Sequence, residues 1–279
     1  MPHIPSVLEM LKAGVHFGHR TSRWHPKMKQ YIFGARGGVH VIDIEQTRAR
    51  LEKVLTDVEG IIANGGNIMF IGTKKQVQDV VEKFANECGM PFVNTRWLGG
   101  TFTNFPEIHR LIKTYLDLKD KREKGELKKY TKLEQLQFDR KIDLLDNQIG
   151  GISILKDLPD AVFVLDMRHD KTAVQEARLR GIKVIGICDT NVNPEMADEV
   201  IPANDDSIAS VTMITKLITE AVHSGKTNAK KAIERREAER KARQEELAVT
   251  AASKATVEEL DNQIKEKLAN EKIEKIKTK

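Results

Sequence analysis

The chain has 279 residues, 40% of them hydrophobic and 31% charged, with a formal net charge of +5, enough apolar material for one large core or for a core with appendages. Cys88 and Cys188 are its only cysteines and form no C-x-x-C pair, which excludes a zinc knuckle or a disulfide framework and suits a reducing compartment. No stretch approaches the roughly twenty apolar residues of a membrane helix, and the first residues lack a basic-then-apolar signal design, so the expected location is cytoplasmic, or an organelle matrix of similar character.

Ser6-x-x-Glu9 has the form of a capping box and opens the first helix. The stretch 12–40 then breaks the balance of charge. It holds six Lys or Arg (Lys12, Arg20, Arg23, Lys27, Lys29, Arg36), four His (His16, His19, His25, His40), Trp24 and no carboxylate. Such a patch on a nearly neutral body steers polyanions.

"GVHVID" (38–43) is predicted as a strand, followed by a helix over 46–65. Asp43, three residues before Gln46, fits its cap. "NIMFIGT" (67–73) and "MPFVNT" (90–95) are further strands, with a helix over 74–89 between them. Thr73-x-x-Gln76 has capping-box form, and Gly65 and Gly89 stand where C-caps belong. "DAVFVLD" (160–166) and "IKVIGICDT" (182–190) are strands around a helix over 171–181, with Thr172-x-x-Gln175 as its box and Gly181 as its stop. A helix over 207–225 ends at Gly225. Strands apolar on both faces that alternate with helices predict a doubly wound α/β body with a parallel sheet.

Residues 106–150 depart from this rhythm. Ile108, Leu111, Tyr115 and Leu118 form one stripe and Ile142, Leu145, Ile149 and Ile152 another, joined by the charged turn "KREKGELKK". Narrow stripes predict two helices packed on each other as an antiparallel coiled-coil hairpin projecting from the body. Residues 226–279 carry 15 Lys or Arg against 11 Asp or Glu and no aromatic residue, which predicts a charged, flexible or partly helical tail. The expected organisation is therefore a body over 1–225 and a tail over 226–279.

Three kinds of chemistry compete. Asp43, Asp166 and Asp189 close predicted strands and "NDD" (204–206) follows the last of them, so these acids could hold a divalent cation or do acid/base work at the strand ends. The plainer reading is capping, with Asp205 or Asp206 accepting from the helix that begins near Ser207. His16 and His19, three apart, offer imidazoles. A structural divalent cation held by His16, Asp189 and Asp205 is the candidate metal centre, and no other cofactor is expected. No phosphate-binding glycine motif, G-x-S-x-G or H-E-x-x-H is present, which disfavours a nucleotide enzyme or common hydrolase. The basic groups meanwhile recur with aromatic residues: Arg20, Arg23, Lys27, Lys29 and Arg36 around Trp24, Lys74 and Lys75 in "TKKQ", and Arg96 with Trp97 in "NTRWLGGTFTNF" (94–105). Structured RNA, recognised by shape, phosphates and stacking, asks for this mixture.

"VHFGHRTSRWHPKMKQYIFGARGGVHVIDIEQT" (15–47), "FIGTKKQ" (70–76), "NTRWLGGTFTNF" (94–105) and "GICDTNVNPEMADEVIPANDDSIASV" (186–211) resemble, in order, the bacterial and organellar small-subunit ribosomal protein S-two family, over about residues 3–225. The resemblance implies a flavodoxin-like three-layer body with an inserted coiled-coil hairpin and no catalysis. It also implies binding to small-subunit ribosomal RNA between head and body, and a part in holding the larger S-one protein for translation, as a single copy and away from membranes. His25 stands where relatives commonly have Asn. The alternative reading is a metal- or small-molecule-binding flavodoxin-like enzyme that uses the acidic strand ends.

Overall fold

The computed structural model describes residues 3–231 and residue 240. The chain divides into two units, Met1–Asn228 and Ala229–Lys279, and the elements below lie in the first. Most of the expected tail lies outside the described residues.

Two sheets form. β1 (Phe17–Arg20), β2 (Ile32–Arg36) and β3 (Val39–Ile42) pair antiparallel in the order β1-β3-β2. β4 (Ile68–Ile71), β5 (Phe92–Val93), β6 (Ala161–Val164), β7 (Lys183–Cys188) and β8 (Glu199–Pro202) form a parallel sheet in the order β5-β4-β6-β7-β8. Counted within that sheet the order is 2-1-3-4-5, the doubly wound flavodoxin-like arrangement.

The 38–43 run was expected beside the other strands but belongs to the small sheet. Gly37 and Gly38 take φ of 59° and 74°, the left-handed pair that a two-residue hairpin needs, so β3 folds straight back on β2 instead of crossing to the parallel sheet. β8, which the apolar pattern does not announce, carries Glu199 and Pro202 and is tolerated because it lies at an edge.

α1 (Val7–Ala13), α2 (Ile44–Ala63), α3 (Gln78–Cys88), α4 (Phe105–Glu123), α5 (Lys132–Ile149) and α6 (Lys171–Leu179) are joined by a final helix that runs through residues 208–228 of the unit. Alternate residues of each parallel strand point to opposite faces. Ile68, Phe70, Phe163, Ile185 and Ile187 join one buried cluster with α2, α3 and the final helix. Met69, Ile71, Val162, Val164 and Val184 join another with α4, α5 and α6.

Ser6 and Glu9 make both halves of their capping box, and Asp43 accepts from the N–H groups of Glu45 and Gln46. The other two boxes do not form. α3 starts only at Gln78, and the Thr73 hydroxyl donates instead to Asp170 at 2.6 Å; Thr172 lies inside α6.

α4 and α5 bury Ile108, Ile112 and Tyr115 against Ile142, Leu145 and Ile149. Arg122 lies 3.8 Å from Asp143, and the Tyr115 hydroxyl bonds Asp146. These side chains share a cluster with sheet residues, so the root of the pair is part of the second core. Tyr115, fully buried at this root, is pushed up to about 12 by burial and by Asp146.

Gly225 is not a helix stop. An added Cβ there would lie 2.8 Å from the Glu59 carbonyl oxygen and from Ile62, so the glycine lets the final helix lie close against α2. Just beyond it, Lys226 Nζ donates to the Cys88 carbonyl at 2.5 Å and Asn228 Nδ2 to Glu59 Oε1 at 2.6 Å. A chain ending at Gly225 is therefore expected to be less stable than one ending at Asn228 by about 1–2 kcal/mol, the worth of one or two such bonds. Paired urea melts measure this, and coincident midpoints would show that the bonds contribute nothing.

Candidate functional site

The carboxyl ends of β4, β6, β7 and β8 converge, as the crevice of an open α/β sheet should, and β1 closes one side. Gly18 permits the approach: a Cβ there would lie 2.6 Å from Thr190 Cγ2, and the His19 amide donates to Thr190 Oγ1 at 2.9 Å. The crevice encloses about 450 Å³ and is lined by His19, Lys74, Asp166, Arg168, His169 and Asp205, among others.

His19 Nδ1 lies 3.0 Å from Asp189 Oδ2, and its Nε2 lies 3.4 Å from Asp206 Oδ2. Lys74 Nζ sits between Asp206 Oδ1 at 2.5 Å, Asp166 Oδ2 at 3.2 Å and Asp205 Oδ1 at 3.9 Å. Asp205 is 2% exposed and its Oδ1 accepts no hydrogen bond. Burial, then the neighbouring Asp166 and Asp189, push its carboxyl up to about 8 against the pull of Lys74 and His19. The Asp189 hydrogen bond raises His19 despite burial.

The expected cap at 205–206 is replaced by another. Asn204 Oδ1 accepts from the Asp206 and Ser207 amides, and Ser207 Oγ from the Ser210 amide. Both aspartates are thus left facing Lys74 and His19.

His19, not His16, is the histidine brought to Asp189 and Asp205. His19 lies within β1, whereas His16 lies in the turn just before it, and the His16 ring packs on Phe17 with centroids 4.0 Å apart. One ligand atom each from His19, Asp205 and Asp206 lie within 4.8 Å of one another. Imidazole nitrogen with carboxylate oxygens is a donor set for zinc more than for magnesium.

Arg20, Arg23, Trp24, Lys27, Lys29 and Arg36 are all exposed, on β1, β2 and the turns between. Arg20 and Arg36 both pair with Val39, one on each side of β3. Arg20, Arg23, Lys29 and Arg36 make no ion pair among the described residues, whereas Lys27 binds Glu195. Trp24 is 39% exposed with its ring 5.4 Å from His40. Lys75 and Arg96 are exposed. Lys74 is engaged in the acidic crevice, and the Trp97 indole N–H donates to Glu176 at 3.1 Å while its ring meets Phe102 edge-on.

Glu176, which no local pattern marks, organises the 97–103 loop. Its carboxylate accepts from the Trp97 indole, the Gly100, Phe102 and Thr103 amides and the Thr103 hydroxyl, all at 2.8–3.2 Å.

A family model described as Ribosomal protein S2 matches residues 10–225. "Small ribosomal subunit protein uS2" of Francisella tularensis subsp. novicida (strain U112) is 48% identical over 214 residues, covering 77% of this chain and 90% of the relative. The proteins of the same name from subsp. tularensis (strain WY96-3418) and subsp. holarctica (strain LVS) show the same identity and coverage.

Proposed function

The chain belongs to the ribosomal protein S2 family, and on that footing we propose that it takes its place in the small ribosomal subunit by laying the basic surface of 12–40 against the subunit's RNA. Membership makes it a structural constituent of the small subunit and not an enzyme. The observation that supports the RNA contact is the set of exposed, uncompensated cations Arg20, Arg23, Lys29 and Arg36 on a stretch without a carboxylate. Trp24, Lys75 and Arg96 extend the same surface, and Lys27, Lys74 and Trp97 act from positions already engaged with protein groups. The contact lies at the junction of head and body, and Leu116, Leu133, Leu136 and Leu144, exposed on α4 and α5, offer apolar surface to neighbouring proteins, the S-one protein among them. The chain works as a single copy in the cytoplasm; among the described residues no helix is long and apolar enough to cross a membrane. Sedimentation of a lysate with the chain followed by mass spectrometry tests this reading. Co-migration with small subunits is expected, and confinement to light fractions would overturn it.

The buried, unbonded Asp205 Oδ1 favours a second role for the crevice, a structural divalent cation held by His19, Asp205 and Asp206. Calorimetric titration of the metal-stripped chain with zinc and with magnesium is expected to give heat with zinc, and that heat is expected to vanish in a His19→Ala, Asp205→Asn variant. No heat from either ion would leave Lys74 and His19 as the counter-charges and end the cation account.

A further inference from the structure

A second cavity, of about 370 Å³, opens between the loops that follow β6 and β7. Its size and its place at the carboxyl ends of parallel strands are those of a small-molecule site in an open α/β sheet. Met167, Val174 and Val192, all buried, and Met196 give it apolar walls. Arg178 ties the 194–196 turn to α6, since its Nη1 donates to the Glu195 carbonyl at 2.5 Å and lies 3.4 Å from Met196 Sδ.

The charged lining is all of one sign. Arg168 and Lys171 are exposed at the cavity, neither makes an ion pair among the described residues, and no carboxylate lines it. The neighbouring Asp166 is already taken by the Arg168 and His169 amides and by Lys74. Asp170, in the cap position of α6, turns its carboxylate to the Thr73 amide and hydroxyl at 3.2 and 2.6 Å. The first turn of α6 is left without a side-chain cap and without an acid, which adds to the pull on an anion. Two amides complete the lining. Asn191 Oδ1 is buried and accepts no hydrogen bond, so it calls for a donor. Asn193 Oδ1 accepts from the Glu195 amide at 3.2 Å, which leaves its NH2 group to donate.

This combination identifies the occupant. A bare phosphate leaves the apolar walls unused, and an uncharged ring leaves the cations unused. A nucleoside phosphate carries a flat ring, N–H and acceptor groups along the ring's edge, and an anion. We propose that the cavity binds a free nucleoside phosphate, with the base against Met167, Val192 and Met196, its edge on Asn191 and Asn193, and the phosphate on Arg168 and Lys171. The chain has no phosphate-binding glycine motif, so side chains and the start of α6 hold the phosphate, and the site binds without chemistry. It does not depend on the RNA reading above.

The test is calorimetric titration of the full chain with AMP, GMP, CMP, UMP and inorganic phosphate. Arg168 and Asn191 also line the acidic crevice, so a chelator is present throughout to keep a divalent cation from bridging. At least one nucleotide is expected to bind tenfold or more tighter than inorganic phosphate. An Arg168→Ala, Lys171→Ala variant, which changes exposed residues only, is expected to lose about tenfold or more in affinity for that nucleotide. Asn191→Ala is expected to lose about fivefold for it while its affinity for inorganic phosphate stays unchanged. No binding of any nucleotide, equal affinity for inorganic phosphate, or unchanged nucleotide affinity in either variant overturns the proposal and leaves the RNA reading standing. Affinity for a short unpaired RNA oligonucleotide is measured alongside by fluorescence anisotropy and is expected to change less than twofold in the Asn191→Ala variant. A fall there that matches the loss for the nucleotide gives the cavity to a nucleotide within RNA and overturns its assignment to a free ligand.

Discussion

Replacing Glu176 by Ala is expected to destabilise the body by about 3–5 kcal/mol, the range for breaking a buried, charge-assisted network from one side. Glu176 is 7% exposed and is the shared acceptor for donors from Trp97, Gly100, Phe102 and Thr103. Removing it strands three backbone N–H groups, of which that of Phe102 belongs to a fully buried residue. Among the described residues, the hydrogen bonds left between α6 and the loop would then be those of Arg180 to the Phe102 and Thr103 carbonyls at 2.9 and 2.8 Å. Glu176→Gln keeps one acceptor oxygen but turns an NH2 toward donors, so it is expected to recover less than half of the loss. Burial opposes ionisation of Glu176, but the donors from Gly100, Trp97, Phe102 and Thr103 outweigh it and hold the carboxyl below its ordinary value of 4.5. A depressed folded value means that the stabilisation is fully present above the unfolded value and is lost as pH falls through the folded one. The gap between original and Ala variant should therefore narrow in acid, below about pH 4.5. Urea melts at neutral and acid pH measure both effects, and a loss under about 1 kcal/mol at neutral pH would show that the loop is held by its apolar contacts instead.

Glu176 also shows where a chain read alone stops being legible. The strands over 68–71 and 161–164 announce themselves because burial on both faces demands unbroken apolar runs. The Asp43 cap and the Ser6-Glu9 box are visible because donor and acceptor lie within three residues. The Glu176 donors lie 73 to 79 residues away, and no local period encodes them. Counting cations fails in the same way. Lys27 is engaged by Glu195 and Lys74 by Asp206, partners 168 and 132 positions off, so two members of a basic surface inferred from the chain are already neutralised. The histidine of the crevice turned on local structure: a helical reading puts His16 and His19 on one side, whereas the strand that starts at Phe17 takes in His19 and leaves His16 in the turn before it.

The same distinction between engaged and free cations governs the RNA contact. An Arg20→Ala, Arg23→Ala, Lys29→Ala, Arg36→Ala variant is expected to lower the slope of log affinity for unpaired RNA against log salt by about three, since each single-strand phosphate contact contributes about 0.7. At moderate salt the loss of affinity should be the largest of any surface change in this chain. The fold should survive, because all four side chains are exposed and none makes an ion pair among the described residues. Lys27 supplies the internal control. Its ammonium is held by Glu195, so it must give up that pair before it can neutralise a phosphate and release the cation condensed there, and Lys27→Ala should change the slope less than Arg23→Ala does. Binding isotherms across a salt series, with melting temperatures recorded alongside, distinguish the outcomes. An unchanged slope in the fourfold variant would move the RNA contact away from 12–40 altogether. Equal slopes for Lys27→Ala and Arg23→Ala would mean that the Glu195 pair opens when RNA arrives, so that the surface acts through its summed field and not through the cations left free.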